Sequence, residues 1–153
     1  MHTNGTVPSA ATDTHNAAPA GADYSRYVQR VRRRFGSEIA DLAPGVPDAA
    51  AIDTLVTHLL QQGASPASAL RLARHAVIER LVVLDVERSA PLDDVTSAMT
   101  ALAEVALERA LAQALRDEDA VHGEPLDADG RRIDFWIVGM GKLGARELNV
   151  SSD

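Results

Sequence analysis

The chain has 153 residues, of which 46% are hydrophobic and only 3% aromatic, with no cysteine and a formal net charge of −7. This composition excludes disulfides and thiolate metal sites, and the acidic balance argues against a nucleic-acid-binding surface, which needs clustered lysine and arginine. A core of alanine, leucine and valine favours packed helices over a β-sandwich. Because no stretch reaches the roughly 20 apolar residues of a membrane span, we expect a cytoplasmic protein without nucleic-acid or membrane partners.

The amino-terminal residues 1–22 contain almost no large apolar side chain. A segment that buries so little surface is predicted to be a disordered leader. A helical region is predicted over 23–120, and Asp23 is the expected N-cap of its first helix. Apolar residues recur along that helix at steps of three and four: Tyr24, Tyr27, Val28, Val31, Phe35 and Ile39. The basic run on the same helix, Arg30 and 32–34, is interpreted as a solvated face.

Two further helices are separated by a short glycine-containing turn. The second helix is predicted over 48–62, with Gly63 as the residue that follows its end. The third has the clearest start signal, because Ser65 can cap it and Pro66 stands at the first helical position, where a missing N–H costs nothing. It is predicted to end near Ser89. Since it is apolar on more than one side, we expect it to be the central helix of a bundle.

The fourth helix is predicted to begin at an N-cap formed by Asp93 or Asp94 and to end near Asp117. Residues 118–132 are then predicted to form a loop or hairpin, with a turn at Asp129-Gly130.

Carboxylates on the fourth helix have two interpretations. Glu104 and Glu108 lie four residues apart, a spacing that can serve acid–base catalysis, and the 117–119 acidic run with His122 nearby suggests a metal site. Arginines on the same helix, including Arg109, and the lack of a second cluster at ligand spacing favour a solvated face and a charged helix end.

The carboxyl-terminal stretch differs from the rest of the chain. Residues 133–138 hold five large apolar side chains and are predicted to form a short buried strand. Gly139-Met140-Gly141-Lys142-Leu143-Gly144 follows directly, and Lys142 is the chain's only lysine. Glycines after a strand allow backbone N–H groups to approach a phosphate.

This pattern has three interpretations, each a different kind of phosphate site. The G-x-G-x-x-G spacing matches a dinucleotide-binding turn, but four predicted helices precede it and no second strand or acidic residue about 20 positions on appears. A Walker A loop is excluded, because Leu143 stands where Ser or Thr must follow the lysine. In a nucleotidyltransferase site, a turn such as Gly141-Lys142 precedes an Asp-hydrophobic-Asp sequence by about ten residues, and those carboxylates hold divalent metal. Asp153 stands at the first of these two positions.

Residues 139–153, GMGKLGARELNVSSD, resemble the signature G-M-G-K-L-G-G-x-E-L-N-x-S-S-D-I-D of the bifunctional glutamine-synthetase adenylyltransferase/adenylyl-removing enzymes. The resemblance extends upstream through the predicted helices and covers about residues 24–153. Two departures stand out. Ala145 occupies a position that is usually Gly, which is harmless in a helical conformation but strained at positive φ. The sequence also stops after Asp153, before the second aspartate of the signature.

The resemblance implies a fold and an activity. The fold would be mainly α, a helical bundle that leads into the truncated first strand and phosphate turn of an α+β, polymerase-β-like nucleotidyltransferase domain, whose incomplete start is 121–153. Enzymes of this family attach AMP from ATP to a tyrosine of glutamine synthetase and remove it with phosphate, releasing ADP, which regulates nitrogen assimilation. This chain resembles the amino-terminal, adenylyl-removing copy.

The resemblance also implies a site. Gly141, Lys142, Gly144 and Ser152 would bind phosphate, and Asp153 would be a catalytic residue and a ligand of Mg²⁺. ATP, ADP and phosphate would be substrates, and glutamine synthetase and the P-II regulatory protein would be partners. Because one carboxylate cannot bracket two metal ions, we expect the fragment to be inactive alone. The alternative is a non-catalytic helical module that binds glutamine synthetase or P-II.

Overall fold

The computed structural model describes residues 21–151, and residues 1–20 of the predicted leader lie outside this range. The described part is mainly helical, which confirms the predicted fold class at that level. A short 3₁₀-helix and five α-helices follow one another: the 3₁₀-helix Gly21–Tyr24, α1 Arg26–Ala40, α2 Ala49–Gln61, α3 Pro66–Arg88, α4 Leu92–His122 and α5 Gly141–Gly144.

The start of α3 follows the predicted capping signal, and α2 begins at the predicted boundary. The Asp48 carboxylate accepts a hydrogen bond of 2.8 Å from the N–H of Ala51 at the start of α2. Ser65 caps α3, and Pro66 occupies its first turn. Gly63 has the positive φ expected of a residue that follows a helix end. These boundaries agree with the prediction because each depends on residues next to the helix end.

The predicted caps of α1 and α4 are wrong. Ser25 caps α1 by accepting from the N–H of Val28, because Asp23 lies inside the 3₁₀-helix and accepts from an arginine of α1 instead. Pro91 is the N-cap residue of α4 and makes no side-chain cap, while Asp93 and Asp94 fall in the first turn. Carboxylates in a first turn are still favourable, since they face the positive end of the helix dipole.

Helix α4 is longer than predicted and ends at His122 rather than near Asp117. No glycine or proline interrupts 118–122, and Gly123 supplies the first break. Asp119 of this last turn forms an ion pair of 2.6 Å with Arg132. The acidic helix end therefore holds the loop that follows it against α4.

Helix α3 is the centre of the bundle, as predicted. It packs against α1, α2, α4 and the 3₁₀-helix. The buried core is aliphatic, and its largest fully buried side chains come mainly from α2 and α3: Ile52, Leu55, Leu59, Leu81, Val28, Val56, Val77 and Thr100. Two long-range ion pairs also join helices of the bundle. Arg32 of α1 pairs with Glu79 of α3, and Arg109 of α4 pairs with Asp53 of α2.

The predicted buried strand at 133–138 does not form in the described part of the chain, which contains no strand. Its apolar side chains are exposed, and that of Trp136 is 86% accessible to solvent. A strand needs neighbouring strands to pair its backbone and cover its face. Just before this segment, Leu126 and Arg132 form one isolated antiparallel bridge, across a turn where Gly130 has positive φ. Across 21–151, no helix is both long and apolar enough to cross a bilayer.

His75 of α3 faces α1 and forms a polar contact with it. Its Nδ1 lies 2.9 Å from the hydroxyl of Tyr27, and its ring stacks on Phe35. Burial lowers the pKa of His75, and the nearby positive charges of Arg74 and Arg34 lower it further. The imidazole is therefore neutral in the folded chain at neutral pH.

The lowered pKa of His75 predicts a pH-dependent stability. Just below the usual histidine pKa of 6.5, the unfolded chain binds more protons than the folded one, so the free energy of unfolding falls as the pH falls through that range. His75→Gln, which keeps a partner for Tyr27, is expected to flatten this dependence between about pH 5 and 7. Urea unfolding followed by circular dichroism at several pH values measures it. His122→Gln, at the exposed end of α4, is the control, and equal slopes for His75→Gln and the parent chain would contradict the prediction.

Candidate functional site

The glycine-rich segment forms α5, a single helical turn from Gly141 to Gly144. Gly141 has φ +55°, a conformation that favours glycine. The turn is closed by hydrogen bonds from the N–H of Ala145 to the carbonyl of Gly141 (2.9 Å) and from the N–H of Glu147 to the carbonyl of Lys142 (2.8 Å). The segment is thus a compact hydrogen-bonded turn.

Gly144 permits a close backbone contact at the other end of the turn. A Cβ atom at this position would lie 2.5 Å from the carbonyl oxygen of Gly139, a distance that real Cβ atoms do not adopt. The spacing of these two glycines therefore has a structural reason, since the chain folds back on itself between them.

Ala145, which replaces the usual glycine of the signature, is unstrained. Its φ and ψ of −81° and −6° are right-handed helical values that alanine adopts freely. The positive φ falls on the next residue, Arg146, at 61°. The resemblance left the effect of this alanine open, and the backbone shows that it costs the turn nothing.

The turn is anchored to α4 by an ion pair and by apolar packing. The Arg146 guanidinium donates to the Glu104 carboxylate at 2.6 Å, and Leu148 packs against the hydrophobic core. A groove of about 460 Å³ separates α4 from the segment around Trp136 and Leu143. Glu104 was interpreted as part of a solvated face, and its partner lies 42 residues away, so local spacing could not reveal the contact.

Two of the predicted phosphate ligands, Gly141 and Lys142, lie at the amino-terminal end of the turn, whereas Gly144 lies at its other end, where its N–H donates to the carbonyl of Met140 at 3.3 Å. The first N–H groups of a helix have no acceptor within it, and those of Gly141, Lys142 and Leu143 have this position in α5. The Lys142 side chain is exposed and forms no ion pair with any residue in 21–151. One cation and several N–H donors without an adjacent carboxylate partner suit an oxyanion.

The remaining predicted site residues are only partly visible. Ser151 forms hydrogen bonds from its N–H and its hydroxyl to the side chain of Asn149, at 3.1 and 2.9 Å. Ser152 and Asp153 lie outside the described residues, so their placement relative to the turn stays a prediction. Between residues 21 and 151, no group of three or more acidic or histidine side chains is placed to hold a metal ion.

Comparison with known proteins places the amino-acid sequence of the chain in a family. The family model described as glutamate-ammonia ligase adenylyltransferase matches residues 24–153. A relative from Burkholderia mallei is 40% identical over 139 residues, which are 85% of this chain and 15% of the relative. One from Ralstonia nicotianae is 38% identical over 144 residues, 88% of this chain and 15% of the relative. Both are named bifunctional glutamine synthetase adenylyltransferase/adenylyl-removing enzyme.

These matches cover most of this chain but only a small part of each relative. The chain spans only 15% of the length of these curated relatives. No solved structure matches the chain. The family model nevertheless covers the helices, the α5 turn and the carboxyl-terminal signature together. The chain belongs to the glutamate-ammonia ligase adenylyltransferase family.

Proposed function

We propose that the chain is the amino-terminal part of an enzyme that adenylylates and deadenylylates glutamine synthetase, and that 121–153 begin its adenylyl-removing nucleotidyltransferase domain. The observation that carries this proposal is the α5 turn, where glycine geometry, an unpaired lysine and free N–H groups coincide. The family match over 24–153 supports it. Glutamine synthetase is the proposed protein substrate, and P-II is proposed as a further partner from the resemblance alone.

The proposed reaction assigns a role to each residue of the site. An oxygen of inorganic phosphate attacks the phosphorus of the AMP group on tyrosine, the bond from phosphorus to the tyrosine oxygen breaks, ADP leaves, and the tyrosine oxygen takes up a proton. Lys142 and the N–H groups at Gly141 would hold the phosphate by charge and hydrogen bonds. Gly144 would keep the turn closed. Positioning and charge neutralisation are the main requirements of such transfers.

The proposed metal site lies at the end of the chain. Asp153, with Ser152 beside it, would contribute a carboxylate oxygen, the ligand type that Mg²⁺ prefers. When bound, Mg²⁺ would neutralise charge on the phosphoryl oxygens. Asp153 alone supplies one carboxylate, so we propose that the 153-residue chain by itself releases no ADP from adenylylated glutamine synthetase.

The exposed segment 133–138 is consistent with this incomplete domain. Phe135, Trp136 and Val138 leave large apolar surfaces in contact with water. Contiguous exposed apolar patches usually mark surfaces that another structure covers. We propose that further strands of the nucleotidyltransferase sheet pair with this segment in a longer protein.

A chimera tests the proposed function. Residues 24–153 replace the matching region of the Burkholderia mallei relative, and phosphate-dependent release of ADP from adenylylated glutamine synthetase is measured. The chimera is expected to retain this activity. Asp153→Asn is expected to lower it by about 100-fold or more, since the carboxylate that holds the metal is lost. Gly144→Ala is expected to lower it by about tenfold or more, because the added Cβ opens the turn.

Ala145→Gly is the matched control for the glycine variant. It changes the neighbouring residue at a position whose backbone is already helical, so it is expected to leave the activity within about twofold. Full activity of the Asp153→Asn chimera would refute the metal-ligand role. An Asp153→Asn chimera that loses AMP addition but still removes AMP would show that this region does not belong to the adenylyl-removing copy.

A further inference from the structure

A groove of about 540 Å³ runs between α1 and α3, away from the α5 turn. Its apolar lining comes from Val31, Phe35 and Leu72. Three arginines, Arg30 and Arg34 of α1 and Arg71 of α3, line it as well. The groove thus combines an apolar surface with concentrated positive charge in a chain whose net charge is negative.

The arginines of this groove differ from four others that are paired with carboxylates. Arg32, Arg109, Arg132 and Arg146 each form an ion pair with a carboxylate. By contrast, Arg30 and Arg34 form no ion pair with any residue in the described range, and Arg71 donates only to the hydroxyl of Ser68, at 3.0 Å. Uncompensated guanidinium groups over an apolar surface are suited to carboxylates or phosphates.

The geometry favours a peptide over a small anion or a nucleotide. The volume is far larger than a phosphate ion, and the apolar lining has nothing to offer one. The Phe35 ring already stacks with His75 and carries the Arg34 guanidinium 5.1 Å from its centre, so it is not free to stack with a nucleobase. A groove between two helices with an apolar surface is, in contrast, a common receptor for an amphipathic helix.

We propose that this groove docks an acidic amphipathic helix of a partner protein. Arg30 and Arg34 are one turn apart, about 6 Å along α1, which matches the spacing of carboxylates four residues apart on a bound helix. Arg71 presents positive charge from the opposite wall. Apolar side chains of the bound helix lie against Leu72 and the exposed edge of Phe35. This inference concerns a surface separate from the α5 turn and does not depend on the proposed reaction.

A labelled synthetic peptide tests the docking site. The peptide carries glutamates four residues apart on one side of a helix and leucines on the other, and its binding to the full chain is measured by fluorescence anisotropy. Saturable binding is expected. Arg30→Ala with Arg34→Ala is expected to weaken it by about tenfold or more. The matched control, Arg26→Ala with Arg33→Ala, removes the same charge from exposed positions of α1 outside the groove and is expected to change binding by less than about twofold.

Several results would overturn the proposal. Equal weakening by both double variants would indicate diffuse electrostatic attraction. Unchanged binding of a peptide with serines in place of the leucines would remove the role of the apolar lining. Displacement of the peptide by inorganic phosphate or ADP at matched ionic strength would identify a small-anion site. A dimer in sedimentation velocity that only Arg30→Ala with Arg34→Ala dissociates would identify a second copy as the occupant.

Discussion

Replacing Leu81 by alanine is expected to lower the free energy of unfolding by about 3 kcal/mol. Leu81 is 1% exposed and lies on α3, the helix that packs against the three other long helices. The substitution removes buried methyl groups and leaves a cavity that the surrounding helices fill only in part. Because small domains are stabilised by only about 5–15 kcal/mol, a loss of this size is a large fraction of the total.

Urea unfolding followed by far-ultraviolet circular dichroism measures the effect of Leu81→Ala on the free energy of unfolding. Leu92→Ala is the matched control, because Leu92 is 71% exposed in the first turn of α4. The control is expected to change the free energy of unfolding by no more than about 0.5 kcal/mol. Equal losses in the two variants would show that α3 is not the centre of the core.

Arg32→Ala is expected to have the second large effect, a loss of about 2 kcal/mol in the free energy of unfolding. The Arg32 guanidinium contacts the carboxylates of Glu79 and Asp23, each at 2.6 Å. The Glu79 side chain is only 6% exposed, so removing its partner leaves a buried carboxylate without compensation. The partial exposure of Arg32 itself keeps the expected loss below that of a fully buried pair.

Arg33→Ala separates this effect from a general loss of positive charge. Arg33 is the adjacent residue of α1, is exposed, and forms no ion pair with any residue that the structure describes. Its replacement is expected to change stability by less than about 0.5 kcal/mol. A double variant, Arg32→Ala with Glu79→Leu, is expected to recover part of the loss, because no buried charge remains. If Arg32→Ala and Arg33→Ala were equally stable, the buried ion pair would contribute nothing.

The sequence predicted those parts of the fold that depend on neighbouring residues. The cap at Ser65 and the helix end at Gly63 are set within a few positions of the boundary, and both were correct. Asp23 was wrong as the cap of α1 because a 3₁₀-helix precedes that helix and Ser25 stands closer to its start. Competition between neighbouring capping residues is decided by the backbone path, which composition does not reveal.

The parts that the sequence did not predict depend on distant partners. Residues 133–138 have the composition of a strand, yet a strand forms only beside another one. The ion pair between Arg146 and Glu104 joins residues 42 positions apart, and that between Arg32 and Glu79 joins residues 47 apart. The candidate turn was predictable because its glycines and Lys142 lie within six consecutive positions, whereas the role of Asp153 still rests on the signature.

The attachment of α5 to α4 would link the proposed anion binding at the turn to folding. Arg146 and Leu148 hold the turn against the bundle, so the turn has its described geometry only while α4 is packed in place. An anion that binds this geometry and not the unfolded chain would stabilise all the helices, by an amount that grows with the ratio of its concentration to its dissociation constant. By the same thermodynamic cycle, a mutation that loosens the core would weaken the proposed anion binding at a distance. The stability of the helical region and anion binding at the turn would thus be thermodynamically coupled.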